Sequence, residues 1–267
     1  MEHVTAEILC YGNELLIGQT VNTNASWLGK ELTELGVVVT RVTTLPDDLA
    51  SIEAGFQEAI ERAPSIVIST GGLGPTWDDQ TLVGLARAVG EEVVRNTEAY
   101  ELILASYAKR GLTMNPAAAK MADFPTNASP LSNAEGTAPG TLYDTSRTKV
   151  YCLPGVPREM RDIFYKHTRP QVAGQAAMTG VKFHQTKFQV EKLRESVLAG
   201  VTSQFTQVHP TVYIKSHPHT GEGSKGVILI HLTARGDEKV GQLVKQVALE
   251  LEQELTKIGG LIHPTED

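Results

Sequence analysis

Two rhythms of apolar residues alternate along the first 165 positions. Residues 6–11 are a short apolar run that ends in Gly12-Asn13 and reads as a buried strand leaving into a loop. Residues 37–42 are β-branched and strand-like. Residues 65–70 (SIVIST) read as a strand buried on both faces, and residues 149–153 as another apolar strand. Helical spacing fills the gaps. Ala25, Leu28, Leu32 and Leu35 make one stripe, begun by Asn22, Thr23 or Asn24 as cap and stopped by Gly36. Ile52, Phe56 and Ile60 make a second stripe after the turn Pro46-Asp47-Asp48, and Leu82, Leu85, Ala86 and Val89 a third that Gly90 stops. A short strand at Val93-Val94 leads to a helix over 97–110, and Pro154-Gly155-Val156-Pro157 opens a helix over 158–165. The stretch 111–140 is rich in Pro and Asn and lacks a period. It is long for a connection, which points to a functional or covering segment.

Strands alternating with helices predict an α/β fold. The expected form is a doubly wound, three-layer, mostly parallel sheet with right-handed crossovers. Ligands of such sheets bind beyond the carboxyl ends of the strands, where strand order reverses. The first and third strands are expected to flank that reversal, so the loops at Gly12-Asn13-Glu14 and 71–79 face one crevice.

Beyond about residue 170 the pattern changes to β-α-β-β-α. Strands are expected at 181–190, 211–216 and 226–232, and helices at 192–204 and 238–258. Val240, Leu243, Val244, Val247, Leu251 and Leu255 stripe the last helix. The chain is thus read as a first domain over 1–168 and a second, smaller α+β domain over 169–267.

Composition narrows the function classes. The chain has 267 residues, 41% hydrophobic and 21% charged, which suits a globular protein. Its net charge of −7, with Lys and Arg scattered, argues against nucleic acid as partner. The acidic N-terminus is no signal peptide, and no apolar run approaches ~18 residues, so no membrane partner is expected and a cytoplasmic location follows by default. Cys10 and Cys152 lie in strand-like runs and read as buried, inert thiols. His217-Pro218-His219 reads as surface histidines in a turn.

The chemistry concentrates in SIVISTGGLGPTWDDQT. A buried strand ends, Gly71, Gly72 and Gly74 follow, then Pro75 and Thr76, and a helix is expected to begin at Asp78 or Asp79. Glycines allow close approach of the backbone to a ligand, and free N–H groups with a helix dipole favour phosphate there. Asp78 and Asp79 would repel that phosphate. A divalent cation between them removes the conflict; alternatively one Asp contacts ribose or base, or Asp79 only caps the helix. Glu14 is expected in the same crevice as a third metal ligand, a general base or a solvated acid. Asn22 and Asn24 are ligand contacts or caps. Gly136, Gly140 and Gly155 lie in further glycine turns near strand ends, and Arg158 or Lys120 can neutralise a phosphate. There is no GxxxxGK[ST], no GxGxxG after a strand and no GxSxG.

These motifs resemble a known family. Gly12-Asn13-Glu14-Leu15-Leu16-Ile17-Gly18-Gln19, then Asn22-Thr23-Asn24, GGLGPTWDDQT, GTAPG and LPGVPREM are similar, in order and over about residues 5–165, to the CinA family of competence/damage-inducible proteins. The resemblance implies a molybdopterin-binding-like fold and a pyrophosphatase acting on ADP-ribose-like dinucleotides with a divalent cation, Mg²⁺, Mn²⁺ or Co²⁺. It implies Asp78 and Asp79 at metal and phosphate, Glu14 nearby, a cradle of Gly71, Gly72 and Gly74, and Lys120 as the family's basic position in NPAAAKMADFP. Longer members carry a C-terminal deamidase domain. The small α+β unit resembles their linker domain, so no deamidase activity is expected.

Three functions compete: a metal-dependent hydrolase of a nucleotide phosphoanhydride, a molybdopterin-type nucleotidyltransferase or binding protein, and a non-catalytic nucleotide-binding module. The partner expected in each case is a nucleotide-type small molecule. Folds of this kind often assemble, so a homo-oligomer is expected.

Overall fold

The first apolar run becomes strand β1 (Thr5–Tyr11) in the computed structural model, which describes residues 3–218 and 226–265. Leu9 and Tyr11 enter one core, while Ala6, Ile8 and Cys10 enter another. That alternation is the mark of a sheet covered on both faces.

A short helix α1 (Asn13–Leu16) and helix α2 (Thr23–Glu34) follow. Asn22 caps α2 by accepting from the Ala25 amide at 3.0 Å. Strand β2 (Val38–Leu45) leads to α3 (Leu49–Glu61), capped by Asp48, and then to the fully buried β3 (Ile66–Thr70). After the glycine loop come α4 (Thr81–Val89), β4 (Val93–Arg95) and α5 (Thr97–Lys109). The aperiodic stretch holds α6 (Pro116–Ala119), β5 (Asp123–Pro125) and β6 (Ser129–Leu131). Strands β7 (Gly140–Asp144) and β8 (Lys149–Leu153) precede α7 (Pro157–Ile163) and α8 (Arg169–Thr179).

The sheet order is β2-β1-β3-β8-β7-β6. The first four strands in this order are parallel, β7 runs antiparallel to β8, and β6 antiparallel to β7. Helices α3, α4 and α5 cover one face through Ile52, Phe56, Leu85 and Ile103. Helices α2, α7 and α8 cover the other through Leu28, Leu32, Ile163 and Val172. Strand β1 lies between β2 and β3, so connections leave it in opposite directions at the β1/β3 boundary. This is the expected reversal.

Two expectations shift. The Val93-Val94 strand stays out of the main sheet and pairs with β5 as a two-stranded ribbon. The chain divides into compact units at Thr179/Gly180, whereas the sequence reading placed residues 169–179 in the second domain. Helix α8 belongs to the first unit because it buries Val172 and Ala176 in that unit's core.

The second unit comprises β9 (Lys182–Glu191), α9 (Glu195–Val208), β10 (Tyr213–Pro218), β11 (Ile228–Gly236), α10 (Glu238–Lys257) and β12 (Leu261–Pro264). Its sheet is antiparallel throughout, in the order β10-β11-β9-β12. The last strand turns the expected β-α-β-β-α into a split β-α-β arrangement. Phe188, Ile230, Leu232, Val247 and Leu251 fill its core. His219 lies outside the described residues.

Candidate functional site

A cleft of about 590 Å³ opens beyond the carboxyl ends of β1, β3 and β8. That size falls in the usual range for small-molecule sites. Its walls come from the loops that leave those strands and from residues 135–138. Of the residues singled out from the sequence, Gly12, Glu14, Gly71, Gly72, Gly74, Pro75, Asp78, Asp79, Gly136 and Gly155 line it.

The glycine loop is built for close packing. Gly71 has φ +104°, and a Cβ there would lie 2.5 Å from the Tyr11 carbonyl oxygen. Its amide donates to Leu153 O at 3.0 Å, which ties β3's exit to β8. Thr81 Oγ1 donates to Gly71 O at 2.8 Å and fills the space beside Gly72, at φ +65°. Among the described residues, the amides of Gly72, Leu73 and Gly74 have no protein acceptor. Free amides on a concave loop suit an anion.

Asp78 and Asp79 meet at one hydroxyl. Thr76 Oγ1 lies in hydrogen-bonding contact with carboxylate oxygens of both, and the Thr76 amide donates to Asp79 Oδ2 at 2.9 Å. A hydroxyl has one proton, so two carboxylates share a single donor. The Thr76 hydroxyl, Asp78's own amide and the Lys120 ammonium hold the Asp78 carboxyl below the usual carboxylate range. Asp79 does not cap α4. The helix begins at Thr81 after a Gln80 N-cap, while the Asp79 side chain turns back and lies against Gly74.

The three-carboxylate metal set expected from the sequence is not assembled. Among the described residues, no three of His, Cys, Asp and Glu come together closely enough to hold a metal ion. Glu14 sits in the first turn of α1 and folds over Gly12, where a Cβ would lie 2.5 Å from its carboxylate. Asp78 and Asp79 are the two adjacent carboxylates here that could hold a hard divalent cation. Hard cations of this kind are commonly held by one or two carboxylates plus substrate phosphate oxygens.

Other expectations are redirected. Lys120 donates from Nζ to the carbonyls of Thr76 and Asp79, so it staples the loop from behind. Arg158 pairs with Glu135 and is largely exposed, outside the cleft lining. Asn13 donates to Asp47. Gly140 is buried in β7, where a Cβ would meet Cys152 O and Ile163 at 3.1 Å, so its smallness serves packing. Asn22 and Asn24 line an adjoining hollow of about 110 Å³ shared with Glu14, Thr70 and Gly155. Asn24 Nδ2 donates to Gly155 O at 2.8 Å and fixes the turn that opens α7, while its Oδ1 is buried without a partner.

The cleft also gathers Arg110 and Glu135, which the sequence did not single out, and Asp47, Thr137 and Glu159, which lie in turns and motifs read there without a role of their own. Arg110, just past α5, donates to the Ser106 and Thr137 hydroxyls and to Glu135 O. At the end of a helix it reads as a dipole partner, so no local signal marked it. Glu159 is held by Asn133 Nδ2 at 2.7 Å and lies against Gly136. Six carboxylates and one arginine therefore line the cleft. An anionic ligand entering it needs added positive charge.

Comparison with known proteins agrees with this architecture. A family model described as a probable molybdopterin binding domain matches residues 7–174. A protein of Saccharolobus islandicus (strain M.16.27) is 37% identical over 264 residues, covering 98% of this chain and 99% of that one. A protein of Sulfolobus acidocaldarius is 37% identical over 265 residues, with the same coverage of each. The solved structure of the protein CinA with unknown function from Thermoplasma acidophilum is 38% identical, with a TM-score of 0.59, covering 63% of this chain and 98% of that one. Fold, motifs and relatives together place this chain in the CinA-like family of proteins with a molybdopterin-binding-like domain.

Proposed function

We propose that the cleft binds a nucleotide-type ligand through its phosphoanhydride and hydrolyses it in an ADP-ribose pyrophosphatase-like reaction. The observation that supports this most is the pairing of Asp78 and Asp79 at one hydroxyl beside the free amides of Gly72, Leu73 and Gly74. The amides would take phosphate oxygens, and Asp78 and Asp79 would hold a divalent cation. When bound, the cation offsets charge on the anhydride. Glu14, in the cleft wall but outside the Asp pair, would accept the proton of the attacking water. Water adds to one phosphorus, the bridging P–O bond breaks, and AMP and ribose 5-phosphate leave. Arg110, the lining cation, orders the 135–137 turn against that charge.

The test is incubation with ADP-ribose, with and without Mg²⁺, Mn²⁺ or Co²⁺, and products read by mass spectrometry. Asp78→Ala and Asp79→Ala should each lower turnover about 100-fold, the scale of lost metal-site groups. Unchanged turnover in both variants would overturn the assignment.

A second reading, a molybdopterin-type nucleotidyltransferase or binding protein, is favoured by the family match over residues 7–174. The same loop and carboxylates would serve it. Adenylylation of molybdopterin from ATP, without hydrolysis of ADP-ribose, would select that reading. Tight nucleotide binding without turnover of either kind would select a non-catalytic module.

A further inference from the structure

The three loops that frame the cleft each carry apolar side chains turned out to water. Ile17 and Val21 follow β1 and are 74% and 80% exposed; Val156 follows β8 and is 54% exposed; Trp77 follows β3 and is 83% exposed. Exposed apolar residues also occur elsewhere, Met178 and Val208 among them, and of these four only Val156 lines the cleft itself, so the case for an apolar contact rests on the aromatic one, Trp77. The cleft lining itself offers a flat ring no face. Its one aromatic residue, Tyr11, is 4% exposed, and its hydroxyl is directed to Ile52 O. The chain's other tryptophan, Trp27, is engaged elsewhere, packed edge-on against Phe164 and Tyr165 with Arg161 over its ring.

Trp77 differs from both. Its backbone is pinned, since Gln80 Nε2 donates to Trp77 O at 3.1 Å and its neighbours Thr76 and Asp78 are bonded to each other. Its indole has no aromatic neighbour among the described residues. The loop thus fixes where the indole is rooted, immediately before the two aspartates, and leaves its face open. We propose that Trp77 is the base-recognition residue of this site, stacking on the purine ring of a ligand whose phosphoanhydride lies at Asp78 and Asp79. This inference rests on the proposed nucleotide reading and adds its specificity element: the ligand class is purine nucleotides, and sugar diphosphates without a base are excluded from tight binding.

The test compares ADP-ribose with ribose 5-diphosphate, which carries a phosphoanhydride but no base, by calorimetry in Mg²⁺ and by KM where turnover occurs. Trp77→Ala should weaken ADP-ribose about 10- to 100-fold, the usual contribution of one base–aromatic stack. It should leave kcat and ribose 5-diphosphate binding unchanged, and Trp77→Phe should restore most of the loss. ADP-ribose should also quench tryptophan emission in the wild type and not in Trp77→Ala. If the wild type binds ADP-ribose and Trp77→Ala binds it equally well, the stacking role is overturned and the nucleotide reading stands. Equal weakening of both ligands also overturns it, because the indole would then act on loop placement alone. If the wild type binds neither ligand, both readings fall.

Discussion

Gly71 is the residue on which the cleft's backbone turns. Its φ of +104° is one that side chains rarely adopt, and a Cβ would press on Tyr11 O across the β1–β3 boundary. Gly71→Ala should therefore cost at least about 2 kcal/mol of stability and distort the amides that follow it. A denaturant midpoint shift with loss of ligand binding checks this; an unchanged midpoint would show that the loop relaxes freely. The glycines and the paired aspartates were legible in the sequence, because a buried strand followed by GGLG and acids has few other uses. The roles of Lys120, Arg158 and Gly140 were not. Each is a residue type suited to phosphate or a turn, and only its spatial partner assigns it: loop carbonyls for Lys120, Glu135 for Arg158, and β8 with α7 for Gly140.

At the scale of elements, the β1–α3 junction carries an ion pair that hydropathy hides. Glu7 lies within the apolar run of β1, is 3% exposed, and accepts from Arg62 Nε and Nη2 at 2.8 Å each, just beyond α3. Removing one partner of a buried pair strands the other charge. Arg62→Met should lower stability by about 3 kcal/mol or more, and Glu7→Leu combined with Arg62→Met should recover much of it. Thermal melts of the two variants decide; equal melts for the single and double variants would show that Glu7 is not stranded. Helix stripes and strand runs were read correctly where period and burial agree, as in α2, α3, β3 and α10. Strand β4 was read from Val93-Val94, but its partner β5 and strand β12 escaped because three- and four-residue strands carry too little pattern, and pairing across distant sequence makes them.

At the scale of the whole molecule, the two units should respond differently to alkali. Burial pushes the Cys152 thiol up from 9.0 to about 12, and burial followed by the Glu91 contact pushes Tyr143 up from 10.0 to about 12. Burial, then Asp144, does the same for Tyr151. All three lie in the first unit. Their folded forms keep protons that the unfolded chain releases, so stability is intact below about pH 9 and falls as pH rises toward 12. Calorimetry from pH 8 to 10.5 should show the first unit's transition moving down relative to the second's. Parallel movement of both would refute this.

The sequence by itself determined the alternation of strands and helices, the doubly wound sheet and the glycine loop with its acids, because each is written in local period and turn chemistry. The tertiary structure alone decided that α8 joins the first unit, that Glu14 stands apart from Asp78 and Asp79, and that Asp47, Arg110 and Glu159 share their cleft. Those outcomes depend on which distant segments the closed sheet brings together, and no local pattern encodes that.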